Sequence, residues 1–253
     1  MRIFLKTEDE IILLRAASQL ATRALIEVGR HVVPRLALSH LRNKVVNAVM
    51  RTVPTESNSG KEALSSDTEF TFFVNGAYIE PSLEGECMLC EGDWLTVNCW
   101  VCLNGYYSFG AHTFIVGSSQ DDEPLTSTLR DMLRQVVRRA SAGHSIKEMS
   151  RTVYSLHSHD SYVLQKTFGH GVGRNRVENP ILRMNPGVND AVLLKEGMCL
   201  VIALAFKHGR SHLIKPRLMH ESTFHNPFVP FGTTVVVRPG RPEILTSLET
   251  IVK

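Results

Sequence analysis

The chain has 253 residues, of which 43% are hydrophobic and 21% charged, and 28 basic against 25 acidic side chains leave a formal charge of +3. These values exclude a disordered or histone-like chain, and the length is enough to bury a core without staples. Five cysteines, an odd number, argue against a secreted disulfide framework, and no apolar run approaches the ~18 residues of a membrane-spanning helix.

The first residues, MRIFLKTEDE, lack a basic segment followed by an apolar one, so no signal peptide is expected. Thr7 and Glu10 have the spacing of a capping box. Ile11, Leu14, Ala17, Leu20, Ala21, Ala24, Leu25 and Val28 then recur with helical period, and Gly29 is the expected C-cap. A second helix is predicted from Ser39 to Val53, before Pro54. Residues 55–67 are polar and aperiodic and are expected to form a loop. Strands follow at Thr68–Val74, Trp94–Leu103 and Tyr106–Val116, the last two joined by an Asn104-Gly105 hairpin turn. Helices are predicted over Thr126–Ala142 and Ser145–His157, and strands over Val192–Phe206 and Thr233–Val237. A short internal repeat relates Leu89–Leu95 to Leu194–Leu200, 105 residues later, each copy preceded by helices. Two helices followed by sheet, used twice, imply an α+β fold with pseudo-symmetric halves.

The most specific string is Phe168-Gly169-His170-Gly171-Val172-Gly173-Arg174, followed by Glu178-Asn179-Pro180. No strand-then-helix context makes it a dinucleotide fingerprint. Together with Ile3–Thr7, Asn98–Gly117, Leu194–Met198, Thr234–Val237 and Glu243–Thr246, it resembles the methionine aminopeptidase family and its pita-bread fold. These anchors run in order over nearly the whole chain and imply one domain spanning residues 1–253.

Enzymes of that family hold two metal ions on two aspartates, a histidine and two glutamates, and the metals activate a bridging water. Matched onto this chain, the five positions are Asn98, Phe109, His170, Ala203 and Gly232. Val177 stands where the family has a substrate-contacting histidine. A metal pair needs anionic oxygens to offset its charge and lost hydration, so no metal or other cofactor is expected. Cys87, Cys90, Cys99 and Cys102 read as two C-x2-C pairs, a zinc spacing. Residues three apart on a strand point to opposite faces, however, so core packing is expected of them, and of Cys199. His208, His212, His220, Glu221 and His225 gather before Gly232, either as a solvated loop or as a new site.

Arg130, Arg134 and Arg138 recur every four residues and so form one stripe, with Arg139 beside it and Lys147 and Arg151 on the next helix. Such a stripe is either an ordinary solvated surface or a set of phosphate contacts to RNA. Inactive members of the fold serve as ribosome-associated factors. The resemblance and the lost ligands therefore imply a catalytically inactive binding protein, a docking subunit or assembly factor of a ribosomal or other ribonucleoprotein complex. Its partners would be rRNA and proteins and not a membrane, with a heteromeric partner left open. The location would be intracellular, with cytoplasm and mitochondrion both open. The alternative is a hydrolase of the same fold with altered, non-dinuclear chemistry, built on His170 and the loop from His208 to His225.

Overall fold

A computed structural model describes residues 2–53, 64–117, 124–156, 161–163, 167–184, 192–208 and 228–247. Helix α1 (Glu8–His31) starts at the expected capping box, with Glu10 N donating to Thr7 Oγ1 and Thr7 N to Glu10 Oε2. It does not stop at Gly29. His31 Nδ1 reaches Glu27 O (2.9 Å) and Arg30 reaches the Glu27 carboxylate (2.9 Å), so side chains of the last turn extend the helix by two residues. Helix α2 (Leu38–Thr52) agrees with the predicted segment to within a residue at each end.

Strands β1 (Glu69–Val74) and β2 (Ala77–Ile79) form a hairpin whose second strand the sequence pattern did not reveal. Its turn is Asn75-Gly76, both at positive φ. The Asn75 side chain is braced from Nδ2 to Asp93 Oδ1 (3.0 Å) and by Trp94 N on its Oδ1 (2.9 Å). Strands β3 (Trp94–Leu103) and β4 (Tyr106–Ile115) turn at Asn104-Gly105, again both at positive φ, as the hairpin signal requires. Helices α3 (Pro124–Arg138) and α4 (Ile146–Ser155) follow, the second opened by a Ser145–Glu148 capping box. Then come β5 (Ser161–Val163), β6 (Thr167–Gly171), β7 (Glu178–Arg183), β8 (Cys199–His208), β9 (Phe228–Val236) and β10 (Glu243–Ile244). Strand β8 begins seven residues later than the sequence pattern implies. Lys195–Met198 is a tight turn, with Met198 N on Lys195 O (3.1 Å) and Gly197 at φ +83.

The strands make one antiparallel sheet in the order β2-β1-β3-β4-β9-β8-β6-β7, with β10 added on β9 and β5 on β8. Helices α1 and α2 bury Leu25, Leu41, Phe72, Val97 and Phe114 against one half. Residues of α3 and α4 bury Val136, Met149, Phe168, Ile202 and Phe231 against the other. The internal repeat is real at the level of backbone. Gly92 and Gly197 both adopt positive φ, and their amides bond Val116 O (2.9 Å) and Val237 O (3.1 Å), each just past the end of its own half's last long strand. The halves join at β4–β9, where Ala111 pairs with Gly232. Among the described residues no helix is long and apolar enough to cross a membrane.

Candidate active site

The cross-strand register brings the sequence-predicted positions together. Asn98 pairs with Ala111, Ala111 with Gly232, and Gly232 with Ala203, while Trp100 pairs with Phe109 and His170 with Val201. Directly opposed residues of neighbouring strands share a face, so Asn98, Trp100, Phe109, Ala203 and Gly232 line one floor across the junction of the halves. Trp100, two residues from Asn98 on the same strand, joins His170 to it. The indole lies 6.1 Å from the imidazole with 8° between planes, and 4.8 Å from the Phe109 ring. Trp100 was missed as a site residue, although its period-two spacing from Asn98 was available. Val177 is 58% exposed on the β6–β7 connection and presents an apolar side chain to solvent.

Phe109 occupies this floor. A Cβ added at Gly232 would stand 2.6 Å from Phe109 Cε1 and 3.0 Å from the Ala203 Cβ. The ring therefore rests on the bare glycine and beside the small alanine. Ring, hydrogen and methyl form one packed unit.

His170 is a titratable group on this face. Its Nδ1 sits 2.8 Å from Gly171 O. A carbonyl can only accept, so Nδ1 carries the proton and Nε2 presents a lone pair. Burial lowers the imidazole pKa against the opposing pull of that carbonyl, which keeps the ring neutral near pH 7. Asn98 Oδ1 is buried and has no hydrogen-bond partner among the described residues. At the rim, Arg176 lies over Trp100 (5.7 Å) and Tyr107 (5.8 Å) and is held by Glu69 (2.8 Å). Lys6 and Glu178 form a 2.5 Å ion pair with both side chains 5% exposed, and Asn175 N adds a bond to Glu178 (3.2 Å). This pair fastens the N-terminal segment to the connection that follows His170.

The family resemblance implies metal, and the donor set can be tested against it. The five matched positions offer one imidazole nitrogen and one amide oxygen, both neutral, and a phenyl ring that packs against Trp100 and Gly232. Two divalent ions carry +4, and such a set neither neutralises them nor completes their shells. The residues do not fit a metal pair. The nearest carboxylate in sequence, Asp93, is engaged by Cys90 N (2.7 Å) and Asn75. Among the described residues no group of three or more His, Cys, Asp or Glu is placed to hold a metal ion. Cys87 and Cys99 pack in the core under α1 and α2, whereas Cys90 is half-buried with Sγ toward Met88 O (3.7 Å). Burial pushes the Cys199 thiol up to about 12. His208 ends β8, and His212, His220, Glu221 and His225 lie outside the described residues.

The arginine stripe is split by the fold. Arg130 is buried at 8% exposure, and its charge helps depress the pKa of the fully buried His112. It is part of the interior, unlike the uniformly outward stripe that the four-residue spacing implied. Arg134 and Arg138 are exposed on α3, Arg139 is exposed just past its end, Arg151 is exposed on α4, and Lys147 is half-buried.

The profile of Metallopeptidase family M24 matches residues 12–238. A methionine aminopeptidase of Clostridium perfringens is 25% identical over 251 residues, covering 98% of this chain and all of that protein. A methionine aminopeptidase of Helicobacter pylori is 28% identical over 225 residues, 85% of this chain and 87% of that one. The crystal structure of methionine aminopeptidase from Thermotoga maritima superposes with a TM-score of 0.76 at 22% identity, covering 97% of this chain and 100% of that one. The fold is the pita-bread fold. These relatives overturn the expectation of a catalytically inactive docking subunit or ribosomal assembly factor. Proteins that align with the chain over most or all of their length are named as enzymes, so lost ligand side chains alone do not make this chain a non-enzyme.

Proposed function

The chain belongs to metallopeptidase family M24, and from that premise we propose that it is a hydrolase of peptide-like amides whose chemistry does not run through paired metals. The observation that carries this is the state of His170, a neutral imidazole with Nδ1–H fixed on Gly171 O and Nε2 held as an acceptor. That tautomer suits a general base. His170 Nε2 takes a proton from a water molecule as its oxygen adds to the amide carbonyl, and the imidazolium returns that proton to the departing amine. Trp100, stacked on the ring, fixes the plane in which Nε2 points. The neutral amide of Asn98, whose oxygen has no partner among the described residues, is a polar group on the floor that orients the substrate. Phe109 and Ala203 supply an apolar wall. In this reading residues 1–253 work as one domain, since α1 through β10 build on one sheet.

The test is turnover of a panel of aminoacyl and dipeptidyl amides by the full chain, with and without EDTA. Activity should survive the chelator and fall by about 10²–10⁴-fold in His170→Ala, as for loss of a general base. It should also decline as pH falls below the usual histidine range, with its midpoint displaced downward, because the base works only when unprotonated. Turnover that appears only with added divalent metal, or none with any amide, would overturn the proposal.

A further inference from the structure

On the helical side of the second half, α3 and the β9–β10 region enclose a cleft of about 700 Å³. It lies within the range of ~300–1,000 Å³ typical of small-molecule sites. One wall is α3, with Arg134 and Arg138 one helical turn apart above Leu133 and Val137. The other is the β9–β10 connection, where Gly240 at φ +74 and the Arg241 N–Pro239 O bond (2.9 Å) set a tight turn that carries Arg241. Pro242, Ile244, Thr233 and Ser247 complete the lining, which contains no carboxylate among the described residues. Ile244 is 49% exposed, so the cleft holds uncovered apolar surface beside the guanidinium groups.

Among the described residues, Asp131 and Glu243 beside the cleft are already engaged. Asp131 bonds Arg134 (2.7 Å), so Arg134 adds less net charge than its neighbours. Glu243 is bonded by Arg15 (2.6 Å) and Arg238 (3.0 Å). Arg138 and Arg241 thus line one concave surface, each from a different wall. Guanidinium groups from two separate elements above an apolar wall match a bidentate oxyanion ligand better than a bulk-solvated face.

We propose that this cleft is a binding site for a small ligand bearing a diphosphate group and an apolar part, separate from the floor that carries His170. A diphosphate offers oxygens to two or three guanidiniums at once, whereas a single carboxylate would leave the remaining charges unmatched. The site is independent of the proposed hydrolase chemistry, so either stands if the other fails.

The test is calorimetric titration of the full chain with pyrophosphate, and with citrate at equal ionic strength. Saturable pyrophosphate binding should weaken at least tenfold in Arg138→Glu and in Arg241→Glu. Arg138→Gln and Arg241→Gln should weaken it less, and Arg151→Glu on α4 should leave it unchanged. Thermal melts identical to the parent's establish that the exposed-site variants fold. No saturable binding of pyrophosphate, equal binding of citrate, or an equal loss in Arg151→Glu would overturn the proposal. Binding of a single-stranded RNA oligomer that pyrophosphate cannot displace would also overturn it, and would assign the arginines to an open RNA-binding surface.

Discussion

Phe109 and Gly232 form a matched pair, and a double-mutant cycle tests it. The backbone at Gly232 is not in the left-handed region, so alanine is conformationally allowed there and only space opposes it. Its Cβ would stand 2.6 Å from Phe109 Cε1 and 3.0 Å from the Ala203 Cβ, and both neighbours are held in a packed floor. Overpacking of this kind costs about 1–3 kcal/mol. Phe109, 7% exposed, should cost about 3–5 kcal/mol when cut to alanine, through lost burial and the cavity left behind. In the Phe109→Ala background the clash with the ring is gone, only the 3.0 Å approach to the Ala203 Cβ remains, and the methyl of Gly232→Ala fills part of the void. The second substitution should then be neutral or gain the ~0.4–1 kcal/mol usual for Gly→Ala at a compatible site. The double variant should thus be more stable than the sum of single effects by roughly 1–4 kcal/mol, a coupling expected only of touching residues. Urea unfolding at fixed pH reads all four corners. Additivity to within ~0.5 kcal/mol would refute the claim that the ring and the glycine fill one space.

The buried Lys6–Glu178 pair should behave as a unit. Lys6→Met alone should cost about 3–5 kcal/mol by leaving an uncompensated buried carboxylate. Lys6→Met with Glu178→Leu should recover most of that loss in the same denaturation assay, and a double variant as unstable as the single would contradict the assignment of the cost to an orphaned charge. His112 is fully buried between Phe114 (4.5 Å) and Phe231 (5.0 Å), with neither ring nitrogen hydrogen-bonded among the described residues. Burial first, and the charge of Arg130 second, hold its pKa down to about 3. The unfolded chain takes up a proton as pH falls below ~6.5 while the folded chain does not, so stability is full above that pH and drains away between there and about 3. His112→Phe should remove this drain. Its stability should fall about 3 kcal/mol less than the parent's between pH 7 and pH 4, at ~1.4 kcal/mol per pH unit, and parallel pH profiles for the two proteins would exclude His112 as the source.

Much of the fold was legible because local chemistry wrote it. The Thr7–Glu10 box, the Asn104-Gly105 turn and the ten-residue strands on either side of that turn depend on neighbours in sequence, and each stands where expected. Other features were less legible. The end of α1 depends on how Glu27 gathers Arg23, Arg30 and His31, and so Gly29 did not act as a stop. The three-residue β2 exists because Asn75 is braced by Asp93 and Trp94, 18 and 19 residues away. Arg130 showed the same limit. Its spacing matched Arg134 and Arg138, but the packing of α3 on β8 and β9 buries it.

The sequence by itself determined the chemical inventory of the site, an amide, a ring, an imidazole, a methyl and a hydrogen at Asn98, Phe109, His170, Ala203 and Gly232. It also determined the paired halves, since two copies of one turn motif demand the same left-handed glycine. Only the tertiary structure decided that these residues form a floor and not scattered losses. Register across β3, β4, β9 and β8 sets Phe109 onto Gly232, and the β6–β8 pairing brings His170 under Trp100. Local sequence rules encode which residue a strand holds, but hydrogen bonding between strands far apart in the chain decides which residue it faces.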